Sequence, residues 1–149
     1  MNLYSQLEHD FAAARVRRDE LAINTLGLLK SEMFKLTKEP GGPKAIDDTL
    51  FVRVANKEIK RREEAAAAFE GAGRVESAAK ERAERELIAA YLPPAMTEAE
   101  LEIELRAVID QVQPIGPAGF GQVMKAATQK LAGRAEGSQI SAMAKRLLA

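Results

Sequence analysis

Two consecutive prolines, Pro93 and Pro94, follow a long stretch of helical pattern and precede a fresh helix-start signal. Each ring fixes its own φ, removes a backbone N–H and pushes the preceding residue out of the α region, so no helix runs through residues 92–94. Just beyond, Thr97-Glu98-Ala99-Glu100 has the Thr-x-x-Glu spacing of a capping box, in which each side chain satisfies an orphan N–H of the first turn. The chain therefore reads as two helical domains, residues 1–93 and 94–149, joined at Tyr91-Leu92-Pro93-Pro94. With 149 residues it is long enough for two small cores.

Helix is the only regular element the pattern supports. Alanine, leucine, glutamate, lysine and arginine dominate, aromatics make up 5% of the chain, and no long alternation of β-branched and aromatic residues occurs. Leu3, Leu7, Phe11 and Ala14 form one apolar stripe over residues 2–17. Asp19 caps a second helix whose stripe is Ala22, Leu26, Leu29, Met33 and Leu36, ended by Pro40-Gly41-Gly42-Pro43. Asp47 or Asp48 opens the longest helix, with Val52, Ala55, Ile59, Ala66 and Phe69 on one side, and Gly71-Ala72-Gly73 stops it. A fourth helix runs from Val75 to Tyr91. The expected all-α fold is a four-helix first domain, with helices three and four as a long antiparallel hairpin, followed by a three-helix second domain. In the latter, Leu101, Leu105, Val108, Ile109 and Val112 mark the fifth helix, Phe120 to Leu131 the sixth, and Ile140, Met143, Ala144, Leu147 and Leu148 the last.

Catalytic groups are scarce. The absence of cysteine removes disulfides, thiolate nucleophiles and Cys-ligated metals, and His9, the only histidine, has no nucleophile placed to work with it. No phosphate loop, dinucleotide fingerprint or His-Glu-x-x-His pair is present, so neither a catalytic residue, a metal nor a cofactor is expected. The carboxylates Glu58, Glu63, Glu64, Glu81, Glu84 and Glu86 alternate with Lys and Arg at helical spacings and read as solvated ion pairs. The amino terminus lacks a basic region followed by an apolar one, and no apolar run is long enough to span a bilayer, which makes a soluble cytoplasmic protein with no membrane partner the expectation.

Charge distribution is more informative than total charge. The 22 basic and 22 acidic residues cancel. Yet residues 95–113 carry Arg106 against Glu98, Glu100, Glu102, Glu104 and Asp110, while residues 114–149 carry Lys125, Lys130, Arg134, Lys145 and Arg146 against Glu136. The basic segment also holds Gly119, Gly121, Gly133 and Gly137, where backbone can approach a ligand. A helical hairpin needs glycines at its corner and lysines outside; the sharper reading is that the five cations neutralise phosphates of a nucleic acid read by its backbone. On the third helix Arg53, Lys57, Lys60 and Arg61 lie within roughly 100° of arc, a secondary basic surface. Arg62 falls inside the apolar stripe, where its stem must reach a carboxylate on another helix or serve an anion or partner.

Several stretches in order resemble the YqeY-like family, whose members carry the GatB/YqeY domain. They are Leu28-Leu29-Lys30-Ser31; Glu58-Ile59-Lys60-Arg61-Arg62 leading to Phe69-Glu70-Gly71-Ala72-Gly73-Arg74; Glu86-Leu87 through Tyr91-Leu92-Pro93-Pro94; Gly121-Gln122-Val123-Met124; and Gly133-Arg134-Ala135-Glu136-Gly137. The resemblance implies a C-terminal domain similar to the tail of the B subunit of the tRNA-dependent amidotransferase, a carbon-nitrogen ligase with glutamine as amido-N-donor. That tail is associated with holding tRNA, and the enzyme's chemistry lies outside it. The family's last turn usually reads Gly-Arg-Ala-Asp-Gly. Here Glu136 replaces the aspartate, a poorer cap, and Ser138 is expected to take over. The resulting expectation is a noncatalytic tRNA-binding module, partnered with tRNA and with amidotransferase or other translation proteins. A protein-interaction scaffold built on the first domain's hairpin is the rival, and a ligase component the third reading.

Overall fold

The structure, a computed structural model, describes residues 1–131 and 133–149; among these it is all-α, with seven helices and no strand. They are α1 (Leu3–Arg17), α2 (Glu20–Lys38), α3 (Asp48–Gly71), α4 (Val75–Ala89), α5 (Glu98–Val112), α6 (Gly119–Lys130) and α7 (Gly137–Leu148). The chain divides into two compact units, Met1–Leu92 and Pro93–Ala149, each around its own core. No helix among the described residues is long and apolar enough to cross a membrane.

Local chemistry sets the ends of the helices in the first unit. Asn2 accepts from Ser5 N at 2.8 Å, Asp19 from Ala22 N at 3.2 Å and Asp47 from Leu50 N at 2.8 Å, each satisfying an orphan donor. Asp48 lies one residue inside α3, and its Oδ1 accepts from Leu3 N at 2.9 Å, tying α3 to the start of α1. The turn after α3 is a full Schellman motif. Gly73, at φ 77°, donates to Glu70 O at 3.0 Å and Arg74 N to Phe69 O at 2.8 Å.

α3 and α4 form the most extensive helix pair, and both also pack on α2. Leu7, Leu29, Met33, Phe51 and Ile88 are wholly buried, each stabilising the fold by about 1.5–3 kcal/mol relative to exposure. Gly27 sits where any Cβ would lie 3.0 Å from the Phe11 ring, so α1 and α2 approach closely there. The buried stripe of α3 is Phe51, Ala55, Glu58, Ile59, Arg62 and Ala66. Val52 and Phe69, expected on that stripe, are only half-buried. Ala55, Ile59 and Ala66 are buried as expected, and the stripe extends to the larger Phe51 and takes in Glu58.

α4 ends at Ala89, two residues short of the expected Tyr91, and the chain tightens through Tyr91 N to Ile88 O and Leu92 N to Ala89 O. The prolines beyond forbid further helix. Tyr91 fastens this end: its ring lies 5.6 Å from that of Phe51, tilted by 57°, and its hydroxyl donates to Asp10 Oδ2 on α1 at 2.5 Å. Burial and the Asp10 carboxylate together push the phenol's pKa well above its usual value.

In the second unit the Thr97–Glu100 capping box forms in both directions, at 3.1 and 3.0 Å. Leu101, Leu105 and Val108 of α5 meet Val123 and Ala127 of α6, Leu131, and Ile140, Met143 and Ala144 of α7. α7 begins at Gly137 with Glu136 as its N-cap, so Ser138 lies inside the first turn and does not take over the cap. Gln139 reaches back instead, its Oε1 accepting from Glu136 N at 3.3 Å.

Candidate functional site

Folding sorts the basic residues by what they meet. In the second unit, α5 places Glu98, Glu102 and Glu104 against the segment that looked freely basic. Lys130 Nζ lies 3.1 Å from Glu104 Oε2, and Arg146 lies 3.2 Å from Glu102 Oε2 and 3.9 Å from Glu98 Oε1. Arg106, one turn along α5, donates to Glu102 as well, and this hydrogen bond, aided by the charges of Arg106 and Arg146, holds the Glu102 carboxyl below its ordinary range. Two of the five proposed phosphate contacts are thus engaged in ion pairs.

Lys125, Arg134 and Lys145 are different. All three are exposed, and among the described residues no carboxylate pairs with them. Lys125 stands in mid-α6 two residues past the buried Val123, which turns it to the outside. Lys145, in the last turn of α7, leans over the Phe120 ring at 6.0 Å, an interaction that still leaves its ammonium in water. Arg134 occupies the α6–α7 turn, next to Gly133 at φ 77°. Of the glycines expected to admit a ligand, Gly119 is instead filled by its own chain: a Cβ there would lie 2.8 Å from Pro114 Cβ. Gly121 and Gly137 face open space.

In the first unit Arg62 is 6% exposed and Glu58 4%. Arg62 Nη1 donates to Glu58 Oε2 and to the Glu58 carbonyl, at 3.0 and 3.1 Å, and Arg61 grips the other carboxylate oxygen of Glu58 at 3.0 Å. The carboxylate on another helix is Glu84 of α4, 3.3 Å from Arg62 Nε. That separation gives charge attraction, but the N–H does not aim at the oxygen, and Nε has no hydrogen-bond acceptor. Glu58 and Glu84 are therefore not the solvated partners the alternating pattern suggests. The spacing of Glu58 to Arg61 and Arg62, three and four residues, carried the signal for the pairing; nothing local marked it as buried.

A shallow depression of ≈ 390 Å³ between α3 and α4 is bordered by Arg62, Arg82 and Arg85. Its arginines are matched by carboxylates: Arg82 pairs with Glu70, and Arg85 with Glu63 at 2.8 Å and Glu86 at 2.7 Å. An anion entering there would compete with carboxylates already in place. On the outer face of α3, Arg53, Lys57 and Lys60 are exposed and have no such match among the described residues. His9 is exposed on α1, and no group of three or more His, Cys, Asp or Glu able to hold a metal occurs among the described residues.

These features define an all-helical protein on two separate cores, in which, among the described residues, somewhat fewer than half of the cations pair with carboxylates and the rest do not. Residues 4–148 match the family model described as Yqey-like protein, and the chain belongs to that family. The curated proteins contain no match to it.

Proposed function

We propose that this YqeY-family chain is a noncatalytic helical module that holds tRNA by its phosphate backbone and works beside the tRNA-dependent amidotransferase. The observation that carries the reading is the division of the second unit's cations. Lys130, Arg146 and Arg106 are occupied by carboxylates, whereas Lys125, Arg134 and Lys145 are exposed on the same small unit with no counter-ion among the described residues. Lysine and arginine in water, free of carboxylates, are what displaces counter-ions from a phosphate backbone. The choice of tRNA rests on the resemblance of this unit to the amidotransferase B-subunit tail, and the choice of backbone over base edges rests on the lack of an exposed aromatic side chain among the described residues of this unit, whose one aromatic, Phe120, is half-buried.

A filter-binding titration of the full chain against tRNA at two salt concentrations tests the reading. Binding at low salt, falling with a log–log slope of at least about −2 to −3, the share of the three phosphate contacts on this unit, is the expected result. No tRNA-dependent signal at low salt overturns it.

A further inference from the structure

Every arginine of α3 and α4 is held by a carboxylate except Arg53. Lys57 and Lys60 share its freedom. Taking Arg53 as 0° on the helical wheel, Lys57 falls at about 40° and Lys60 at about −20°, so the three occupy one narrow row. Its axial steps are about 6 and 4.5 Å. Arg61, which sequence spacing groups with them, leaves the row to bind Glu58 at 3.0 Å.

Among the described residues no carboxylate forms an ion pair with this row, and the one acidic side chain on the same face is Glu64 at its far end. Glu58 is already shared between Arg61 and Arg62. Across the groove on α2, Glu32 lies near enough to feel the charges of Arg61 and Lys57, yet it accepts from Lys35 at 2.9 Å, the largest cause of its lowered carboxyl pKa. Asp47 and Asp48, at the amino end of α3, are committed to Leu50 N and Leu3 N. Glu64, one turn beyond Lys60, closes the row at its other end. Like charges at i,i+4 and i,i+3 repel. A helix whose other cations are paired therefore keeps one face, Arg53 to Lys60, whose like charges an external anion would relieve.

We infer that Arg53, Lys57 and Lys60 form a second RNA-backbone surface, on the first unit, that takes phosphates of an RNA strand in a row about 10 Å long. The inference rests on the phosphate-backbone reading above and adds a contact surface outside the tRNA-tail-like unit. A row of extended, flexible cations suits a chain of equivalent charges such as a phosphate backbone. An acidic protein surface is the competing partner, and it is separated by the outcome of the test.

The test uses the full chain, with unfractionated tRNA as probe, and two triple variants: Arg53→Gln/Lys57→Gln/Lys60→Gln and Lys125→Gln/Arg134→Gln/Lys145→Gln. All six positions are exposed and glutamine is a good helix former, so unchanged circular dichroism and melting are expected for both. The α3 variant is expected to weaken binding about tenfold or more near 0.15 M salt and to flatten the salt slope by about two. If it binds tRNA with the wild-type slope while the second-unit variant is impaired, the inference falls, the row is left to an acidic protein, and the proposed function stands. If the α3 variant alone is impaired, the inference stands and the second-unit assignment falls. A wild-type chain that binds no tRNA at low salt overturns both.

Discussion

The second unit separates its charges along the chain, acidic through α5 and basic through α6 and α7, and folding then sets the two against each other, Lys130 on Glu104 and Arg146 on Glu102. In the first unit α3 does the reverse. Its acidic and basic residues alternate along the chain, and folding sorts them into a buried pair, Glu58 and Arg62, facing the half-buried Glu84 of α4 on one side, and on the other a row of cations with no ion pair among the described residues. Charge counted along a sequence therefore misleads in both directions. Exposed ion pairs such as those on α5 add little stability, but they decide which cations remain available to a partner. The buried cluster on α3 has the opposite balance: no availability, and a large penalty if broken.

The largest effect follows from breaking that cluster. Arg62→Ala leaves Glu58 with only Arg61 and Glu84 with no cation, and it should cost the first unit about 3–5 kcal/mol in urea denaturation. A loss below about 1 kcal/mol would place Arg62 with the solvated pairs. Next comes Leu105→Ala, which empties a wholly buried site in the second core. It should destabilise that unit by about 3 kcal/mol, and hydrogen exchange should speed in α5 to α7 while α1 to α4 keep their protection.

Tyr91→Phe removes the hydroxyl bonded to Asp10 and should cost about 1 kcal/mol at neutral pH. Because folding raises the Tyr91 pKa, the neutral phenol is favoured in the folded state; that contribution is fully present below the usual tyrosine value of about 10 and is lost as pH rises beyond it. Melting followed from pH 8 upward should show a steeper alkaline fall in wild type than in Tyr91→Phe. The smallest effect belongs to Glu102→Gln. Its lowered carboxyl pKa makes a contribution present above the ordinary carboxylate range and lost on acidification, so a slight drop in melting temperature at neutral pH should vanish in acid and shrink with added salt.

Features governed by neighbouring residues were legible in the sequence. Asp19, the Thr97–Glu100 box, the Gly73 turn and the stop imposed by Pro93 all depend on backbone geometry within a few residues, and the stripe of α2 buries four of its five expected members. What escaped depended on packing between helices. Whether Phe51 or Val52 faces the core is settled by where α1 and α2 lie, and the burial of Glu58 and partial burial of Glu84 arise only when α3 meets α4. Ser138 was a reasonable cap by residue type, but the start of α7 at Gly137 put it one position too late. For the candidate site, residue identities were legible and their availability was not. Lys130 and Arg146 looked equivalent to Lys125 and Lys145 until α5 supplied its carboxylates.

The division between occupied and free cations is best tested by the salt dependence of tRNA binding in two variants of the second unit. Lys125→Gln/Arg134→Gln/Lys145→Gln should flatten the log–log slope by about two or more, whereas Lys130→Gln/Arg146→Gln should leave the slope at the wild-type value. The opposite pattern, with the paired residues controlling the slope and the free ones silent, would contradict the account.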